Sequence, residues 1–406
     1  MHGNLLIGQS GGPTAVINAS LAGVLAEAGR HAEVSQVLGA LNGLEGWLEE
    51  RIVDLTGTKA SKLDELRRTP AAALGSCRRK LGSEDSDKLF DVLAKYGVRY
   101  LLYAGGNDSM DTCHRIWTAA RHRRYDLRVV GIPKTVDNDL AETDHCPGYG
   151  SAARYIALST RDTGLDQQSL RSFVPILITE VFGRHAGWLA AAASLAKEKA
   201  EDAPHLVYVP ERVFNESDFL TDVEQCYRRL GWVSVVVSEG VADVSGELLG
   251  GKDAPEDAFG HKALPLGSGV AQYLARLLNR ETGLLVRVNR PGTIQRASSC
   301  AVSEVDRNEA EEVGRAAVRQ AVSGEDGCMI TLIRDPEDPY RCTTGYTPLQ
   351  RVANAEKKLP EIMIESSGNA MRPEFRDYAF PLIGSGLARR TGLTWPPASP
   401  CQASST

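Results

Sequence analysis

Gly131-Ile-Pro-Lys-Thr-Val-Asp-Asn-Asp139 is the stretch whose reading decides the fold. The residues before it, Leu127-Arg-Val-Val-Gly131, predict a short buried strand, because β-branched residues run up to a glycine. Pro133 has no N–H to give a sheet ladder, so the strand should stop there. A polar loop follows with a lysine, a hydroxyl and two carboxylates. In an open α/β sheet, ligands bind at the ends of strands. Asp137 and Asp139 alternate, so a partly extended loop would point both the same way. One could then act as a base while the other holds a metal or a hydroxyl. The same residues also suit an acidic turn whose Asn and Asp cap the next element. The rest of the chain decides between the two.

Two similar units lie upstream. Asn4-Leu-Leu-Ile-Gly8 predicts a strand, Gln9-Ser-Gly-Gly-Pro-Thr14 a turn, and Ala15 to Gly29 a helix apolar on one side. N–H groups converge where a glycine turn opens a helix, and the positive end of the helix dipole favours an anion. The turn matches neither Gly-x-x-x-x-Gly-Lys-Ser/Thr nor Gly-x-Gly-x-x-Gly, so a turn without a ligand stays open. Val98 to Ala104 predicts another strand, leading into Gly105-Gly-Asn-Asp-Ser-Met-Asp-Thr112. Asp108 or Ser109 is expected to cap a helix running through Ala120. Three β–turn–α units in order indicate an α/β fold, doubly wound on a mainly parallel sheet, with the loops gathered at one edge.

Elsewhere, Asn42-Gly43 and Glu45-Gly46 read as turns, and Leu55 to Leu66 as a connector into a helix. Leu74-Gly-Ser-Cys-Arg-Arg-Lys-Leu-Gly82 places three cations between glycines, either a solvated loop or a phosphate clamp. Ser86 to Tyr96 reads as an amphipathic helix and Asp162 to Leu170 as a polar loop. Strands are expected at Phe173–Glu180, His205–Val209 and Trp232–Glu239, with a helix from Trp188 to Lys197. Gly246 to Gly260 reads as an exposed loop and Ser268 to Arg280 as a helix. No strand precedes Gly267-Ser-Gly269, so it is not taken as a dinucleotide turn. Leu284 to Arg296 alternates and ends in a basic loop, Glu304 to Val322 is a charged helix, and Met329 to Ile333 is expected to be the final strand. The tail after Thr391, with Pro396-Pro397 and serines, reads as disordered.

Composition bounds the chemistry. The 406 residues, 42% hydrophobic and 24% charged, describe a globular protein able to bury a core without staples. A formal charge of -6 and sparse aromatics argue against nucleic acid. Anionic ligands must therefore be met by local cations. The eight cysteines form no Cys-x-x-Cys pair, which argues against structural zinc and a disulfide framework, so a reducing cytoplasm is expected. The N-terminus lacks a signal-peptide pattern. The run Ala186 to Ala196 is too short for a bilayer span of about 20 residues, so no membrane is expected.

Together the motifs describe a phosphoryl-transfer site, which needs held phosphates, a base and cations against developing charge. Ser10-Gly-Gly12, Gly105-Gly-x-x-Ser109, Pro133-Lys-Thr-x-Asp-Asn-Asp139, Phe182-Gly-Arg-His-Ala-Gly187, Ser238-Glu-Gly240 and Ile294-Gln-Arg296 resemble, in order and spacing, the phosphofructokinase family. The likeness covers roughly residues 4 to 385. It implies a two-lobed fold with the site between lobes, and transfer of a phosphoryl group to the 1-hydroxyl of fructose 6-phosphate. Asp137 matches the family's general base. Gly11, Gly12, Arg78, Gly106 and Asn107 match the donor site. Thr135, Val136, Asp139, Phe182, Gly183, Arg184, Glu239, Arg287, Thr293 and Arg296 match the sugar-phosphate site. The implied lobes are 1–145 with 295–350 for the donor and 146–294 with 351–390 for the sugar phosphate. One such arginine commonly comes from a neighbouring subunit in this family, which implies a homo-oligomer, a dimer or a tetramer.

Asp108 and Lys134 stand where ATP-using members carry glycines, and resemble the pyrophosphate-dependent branch. A carboxylate where an α-phosphate would lie opposes ATP; like charges about 4 Å apart cost on the order of 4 kcal/mol at an intermediate dielectric. Lys134 could steady the charge on a leaving phosphate. Lys134 pointing to solvent is the alternative. Asn107 replaces a common magnesium-binding aspartate; an amide oxygen can still ligate Mg2+ but adds no charge. Thr293 replaces a histidine or tyrosine, and Pro175 a sugar-phosphate arginine. His185 reads as structural, Cys146 as a loop or core thiol. An ATP-dependent enzyme and a sugar-phosphate-binding regulator without turnover are the competing readings.

Overall fold

Alternation along three strands builds the larger core. Leu5 and Ile7 face one side with Tyr100, Leu102, Val130 and Ile132, while Leu6, Leu101, Tyr103 and Val129 face the other. Such a period of two with both faces apolar belongs to a sheet covered on both sides by helices. The computed structural model describes residues 1–82, 84–250, 269–337 and 339–388. Its strands are β1 (Gly3–Gln9), β2 (Val34–Ala40), β3 (Ile52–Asp54), β4 (Val98–Gly105), β5 (Arg128–Pro133), β6 (Ile176–Val181), β7 (Leu206–Tyr208), β8 (Val233–Ser238), β9 (Val286–Asn289), β10 (Cys328–Arg334) and β11 (Cys342–Pro348).

They form a seven-stranded sheet, β11-β10-β5-β4-β1-β2-β3, and a four-stranded sheet, β7-β8-β6-β9. Neighbours are parallel except β2 with β3 and β10 with β11. The architecture is therefore the expected α/β one with mainly parallel sheets. Gln9 pairs with Ala104 and Gly105 with Pro133, so β1, β4 and β5 end level. In the smaller sheet Val181 pairs with Ser238, so β6 and β8 also end together.

Several expectations are corrected. Asp162–Leu170 is no loop: it continues the helix Tyr149–Ser169. One face of that stretch is buried through Gly164 and Gln167, while its charges face solvent. Neither Asp108 nor Ser109 caps the helix Asn107–His122; Gly106 takes the cap position and no side chain bonds there. β10 is followed by β11, a polar edge strand. Asn42 adopts a left-handed conformation and opens a short helix, Gly43–Leu48, through the second expected turn. The expected loop 246–260 and the tail after residue 391 fall wholly or mostly outside the described residues. Among the described residues no helix is long and apolar enough to cross a membrane.

The helices Ile17–Ala28 and Glu304–Ser323 cross backbone to backbone on one face of the larger sheet. A Cβ on Gly314 would lie 2.0 Å from the Ser20 carbonyl oxygen, and one on Gly23 would lie 2.1 Å from that of Glu311. This crossing sets the seat of the helix that opens after the first glycine turn. Helix propensity alone would make Gly314→Ala stabilising by about 1 kcal/mol. Overpacking at a rigid crossing costs about 1–3 kcal/mol. We expect Gly314→Ala to lower the urea midpoint without changing the slope; a raised midpoint would show that the crossing yields.

Candidate active site

The level strand ends place three loops side by side. The turn after β1 carries Ser10, Gly11 and Gly12, the turn after β4 carries Gly106 to Ser109, and the loop after β5 carries Lys134 to Asp139. Facing them are Phe182, Arg184 and His185 after β6 and Glu239 after β8. These residues, with Cys77, Arg78, Arg296, Asn354 and Glu356, line a cleft of about 510 Å³. The donor-side set (Gly11, Gly12, Arg78, Gly106, Asn107, Asp108, Lys134) and most of the sugar-side set (Thr135, Val136, Asp137, Asp139, Phe182, Arg184, Glu239, Arg296) thus share one cavity.

Three expected residues do not line it. Gly183 turns at φ +129 behind the wall, where its carbonyl accepts from the Ser238 hydroxyl. A Cβ there would meet the Ala186 carbonyl oxygen at 2.5 Å. Thr293 is exposed just before the short helix Ile294–Ala297. Arg287 lies on the edge strand β9, where it pairs with Asp166 at 3.3 Å. In its own chain it does not reach the cleft. Ser10 and Ser109, which the sequence offers only as motif residues, also line the cleft, as do Cys77, Asn354 and Glu356, to which it gives no role, and His185, which reads there as structural. His185 lines the cleft and pairs with Glu356 at 3.0 Å.

Of the three cations in the 78–80 loop, Arg78 lines the cleft. Arg79 turns away to Asp85 at 2.6 Å, and Lys80 stands 4.0 Å from Asp108. The acidic loop is held by its own middle residue. Asn138 is fully buried at φ +55, accepts from the Cys146 N–H at 3.0 Å and donates to the Tyr378 hydroxyl at 2.9 Å. The Thr135 hydroxyl accepts from the Asp137 N–H at 3.0 Å. With Asn138 so anchored, Asp137 and Asp139 both face the cleft.

Lys134 is only 4% exposed, and its Nζ donates to the Gly12 carbonyl at 3.0 Å. It therefore does not point to solvent. Gly11 stands beside it at φ +75, a left-handed conformation that favours glycine. Burial, then Arg296, lower the Lys134 pKa to about 8, against the pull of Asp137 and Asp139. Burial first, then Asp139 and Glu239, push Asp137 up to about 7. Asp139 and Glu239 are also raised, chiefly by burial. Two buried carboxylates that feel each other titrate as a pair. A base poised near neutrality beside an ammonium poised just above it suits proton abstraction followed by stabilisation of negative charge.

Asn107 tests the fit of a divalent cation. Its Nδ2 donates to Asp139 Oδ2 at 3.4 Å, which fixes the amide's orientation. Its Oδ1 is buried with no hydrogen-bond partner among the described residues. A buried acceptor without a donor is costly unless something else fills its lone pairs. An oxygen-seeking ion such as Mg2+ fits that position, with carboxylates beside it.

The raised pKa of Asp137 carries a stability cost with a definite sign. The folded state binds the proton more tightly than the unfolded chain, so stability falls as pH rises from the unfolded carboxylate value through about 7. Asp137→Asn should therefore unfold later than the wild type above neutral pH, by at least about 1 kcal/mol. The advantage should shrink as pH falls toward about 4. Equal stability of the two proteins at pH 8 would contradict the electrostatics described above.

The comparisons with known proteins agree with this geometry. The phosphofructokinase family model matches residues 4–321. The pyrophosphate–fructose 6-phosphate 1-phosphotransferase of Xanthomonas campestris is 42% identical over 388 residues, covering 94% of this chain and 92% of that one. A sulfofructose kinase of Alkalicoccus urumqiensis is 34% identical over 360 residues, 88% and 91% of the two chains. The crystal structure of a pyrophosphate-dependent phosphofructokinase from Marinobacter aquaeolei superposes with a TM-score of 0.85 at 37% identity, covering 98% of this chain and 94% of that one. With the glycine turns, the acidic loop and its lysine meeting in one cleft, the chain belongs to the phosphofructokinase family.

Proposed function

We propose that the chain reversibly transfers a phosphoryl group from pyrophosphate to the 1-hydroxyl of fructose 6-phosphate. The observation that carries this reading is the Lys134 ammonium, buried beside the Asp137 carboxylate at the floor of the cleft. Asp137 takes the proton from the sugar hydroxyl as its oxygen bonds to phosphorus. The bridging P–O bond of pyrophosphate breaks, and orthophosphate leaves against Lys134. The N–H groups of Gly12 and Gly106, with Arg78, hold the donor, while the Gly11 N–H donates to the Cys77 carbonyl at 3.2 Å and shapes the turn. Arg296, stacked 5.8 Å over the Phe182 ring, grips the sugar phosphate, and Glu239 and Arg184 hold sugar hydroxyls. Asn107 and Asp139 would hold Mg2+, which when bound screens the charge of the phosphates.

The same proposal assigns 1–145 with 295–350 to donor binding and 146–294 with 351–390 to the sugar phosphate. The two sheets, drawn from these two parts of the chain, support that division. A reducing cytoplasm suits the free thiols. The working form is a homo-oligomer, a dimer or a multiple of it. Its support is the edge strand β9, where Arg287 stands beside exposed apolar residues. These are Leu285, Leu165 next to its partner Asp166, and Phe173, 72% exposed, leading into β6. A second copy laid on this edge would cover them and could take Arg287 into its own cleft.

Phosphate release with Mg2+, fructose 6-phosphate and either pyrophosphate or ATP tests the donor, and sulfofructose in place of fructose 6-phosphate tests the acceptor. Turnover is expected with pyrophosphate, and Asp137→Asn should lose about 10²–10⁴-fold in kcat. Asp108→Gly with Lys134→Gly should weaken pyrophosphate use and begin to admit ATP; an unchanged donor preference would refute the assignment. For the oligomer, Arg287→Ala and Asp137→Asn chains are each expected to be nearly inactive alone. Mixed, they should regain up to about a quarter of wild-type activity, because one site of a heterodimer combines two intact halves. No regain on mixing would place Arg287 outside any shared site.

A further inference from the structure

We propose that His145, held as a buried imidazolium, is a positioning residue that fixes the Asp137–Asp139 loop in its reactive posture. This rests on the reading above of Asp137 as the base. His145 follows the acidic loop by a few residues and is 1% exposed. Its Nδ1 lies 2.7 Å from Asp144 Oδ1, and its Nε2 lies 2.7 Å from Glu309 Oε2. A neutral imidazole has one N–H and one lone pair. Either tautomer would set that lone pair against a carboxylate, so only the ring with both nitrogens protonated satisfies both contacts. The pKa direction agrees: the two carboxylates raise it against the opposing effect of burial.

The clamp joins the segment after the acidic loop to the helix Glu304–Ser323, which Asp306 also ties to the Gly148 and Ser151 N–H groups at 2.8 and 2.9 Å. On one side Glu309 belongs to the helix Glu304–Ser323, the helix that crosses Ile17–Ala28. It also accepts from the Tyr340 hydroxyl at 2.6 Å. On the other side Asp144 accepts from Arg334 Nε at 3.1 Å, and its N–H donates to the Leu332 carbonyl at 2.9 Å. The Asp144 carbonyl accepts from Lys357 Nζ and from the Tyr378 hydroxyl, each at 2.7 Å. Tyr378 is the partner of Asn138, which sits between the two aspartates of the loop. The path from charge to chemistry is therefore His145, Asp144, Tyr378, Asn138, Asp137. The titratable and charged groups around the ring are Asp144, Glu309, Tyr340, Cys342 and Arg334. Lys357 and Tyr378 stand beyond Asp144, and Asp306 is a turn before Glu309. Loss of the ring proton leaves one carboxylate facing a lone pair. The sign follows: the clamp holds at low and neutral pH and is lost as pH rises through the raised folded value.

The test measures kcat and KM for pyrophosphate between about pH 6 and about pH 10 in wild type, His145→Gln and Glu309→Gln. It adds ¹⁵N NMR of the histidine rings. Both variants should lose at least about tenfold in kcat with KM within about threefold, the split expected of a lost posture and not of lost binding. Glu309→Gln removes one of the two carboxylates, so it should shift an alkaline limb down by about one pH unit. Lys134 supplies its own alkaline limb, and Glu309 is not among the groups facing it. In wild type the ring should still be charged above the ordinary histidine midpoint of about 6.5. Variants that melt earlier yet keep wild-type kcat and an unmoved limb would make His145 merely structural and overturn the inference. So would an equivalent of bound zinc that Cys342→Ser removes, since Cys342, His145 and Glu309 lie close enough to be tried as ligands. If the wild type shows no turnover with pyrophosphate, the reading of the previous subsection fails instead. The ring NMR then still decides this one, because a His145 that loses its proton at or below the ordinary histidine midpoint overturns it.

Discussion

One hydrogen bond, from the buried Lys134 ammonium to the Gly12 carbonyl, ties the end of β5 across β4 to the turn after β1. Much of the site depends on its being possible. A cation taken out of water is costly unless opposite charge and acceptors surround it. Here Asp137 and Asp139 supply charge and Gly12 supplies an acceptor, while Arg296 and Arg78 work against it. The contact needs three strands that end level, which the pairing of Gln9 with Ala104 and of Gly105 with Pro133 provides. A slip of one residue would turn each alternating strand's apolar set from one face of the sheet to the other, so the core that fixes the register also fixes the lysine.

The acidic loop is positioned from the opposite direction. Its anchors are Tyr378 and the 143–146 segment, and the Lys357 N–H donates to the Asp139 carbonyl at 2.7 Å. Residues 352–383 pack mainly with the core around Trp188 and Tyr149. Asp137 thus follows a strand of the larger sheet but is oriented by the core beside the smaller one.

Sequence alone reached the β–turn–α units because their signals are local: a strand alternates, a glycine ends it, a helix begins. Most of the cleft's lining is legible through the family resemblance, and the level ends of the parallel strands explain why those loops gather. What it missed depended on distant partners. The polar stretch 162–170 is helical because Gly164 packs where an added Cβ would fall 2.4 Å from the Ala203 Cβ, and because Gln167 bonds the Val174 carbonyl. β11 is polar and half exposed, and pairing with β10 defines it, not its own hydrophobicity. Asn354 and Glu356 reach the cleft from a segment without a motif. Arg287 carries a family pattern, yet no local signal says that it lies on an outer edge.

Asp108 and Lys134 differ sharply in burial, and with it in their weight on donor choice. Asp108 was expected to repel a nucleotide's α-phosphate, but it is 55% exposed and Lys80 stands 4.0 Å away. In a water-like setting a charge pair at that distance is worth about 1 kcal/mol, not the roughly 4 kcal/mol of a half-buried one, and salt screens it further. Repulsion at position 108 is therefore a small part of any discrimination. Lys134 is different in kind. It is buried, it bonds the Gly12 carbonyl of the first turn, and it lines the floor against which a phosphate chain would lie. An ammonium there excludes a longer chain by its volume, while its charge, little diluted by solvent, draws in the phosphates of a shorter donor. Preference for a short donor, on this reading, is a property of the cleft floor; the carboxylate at its mouth tunes it.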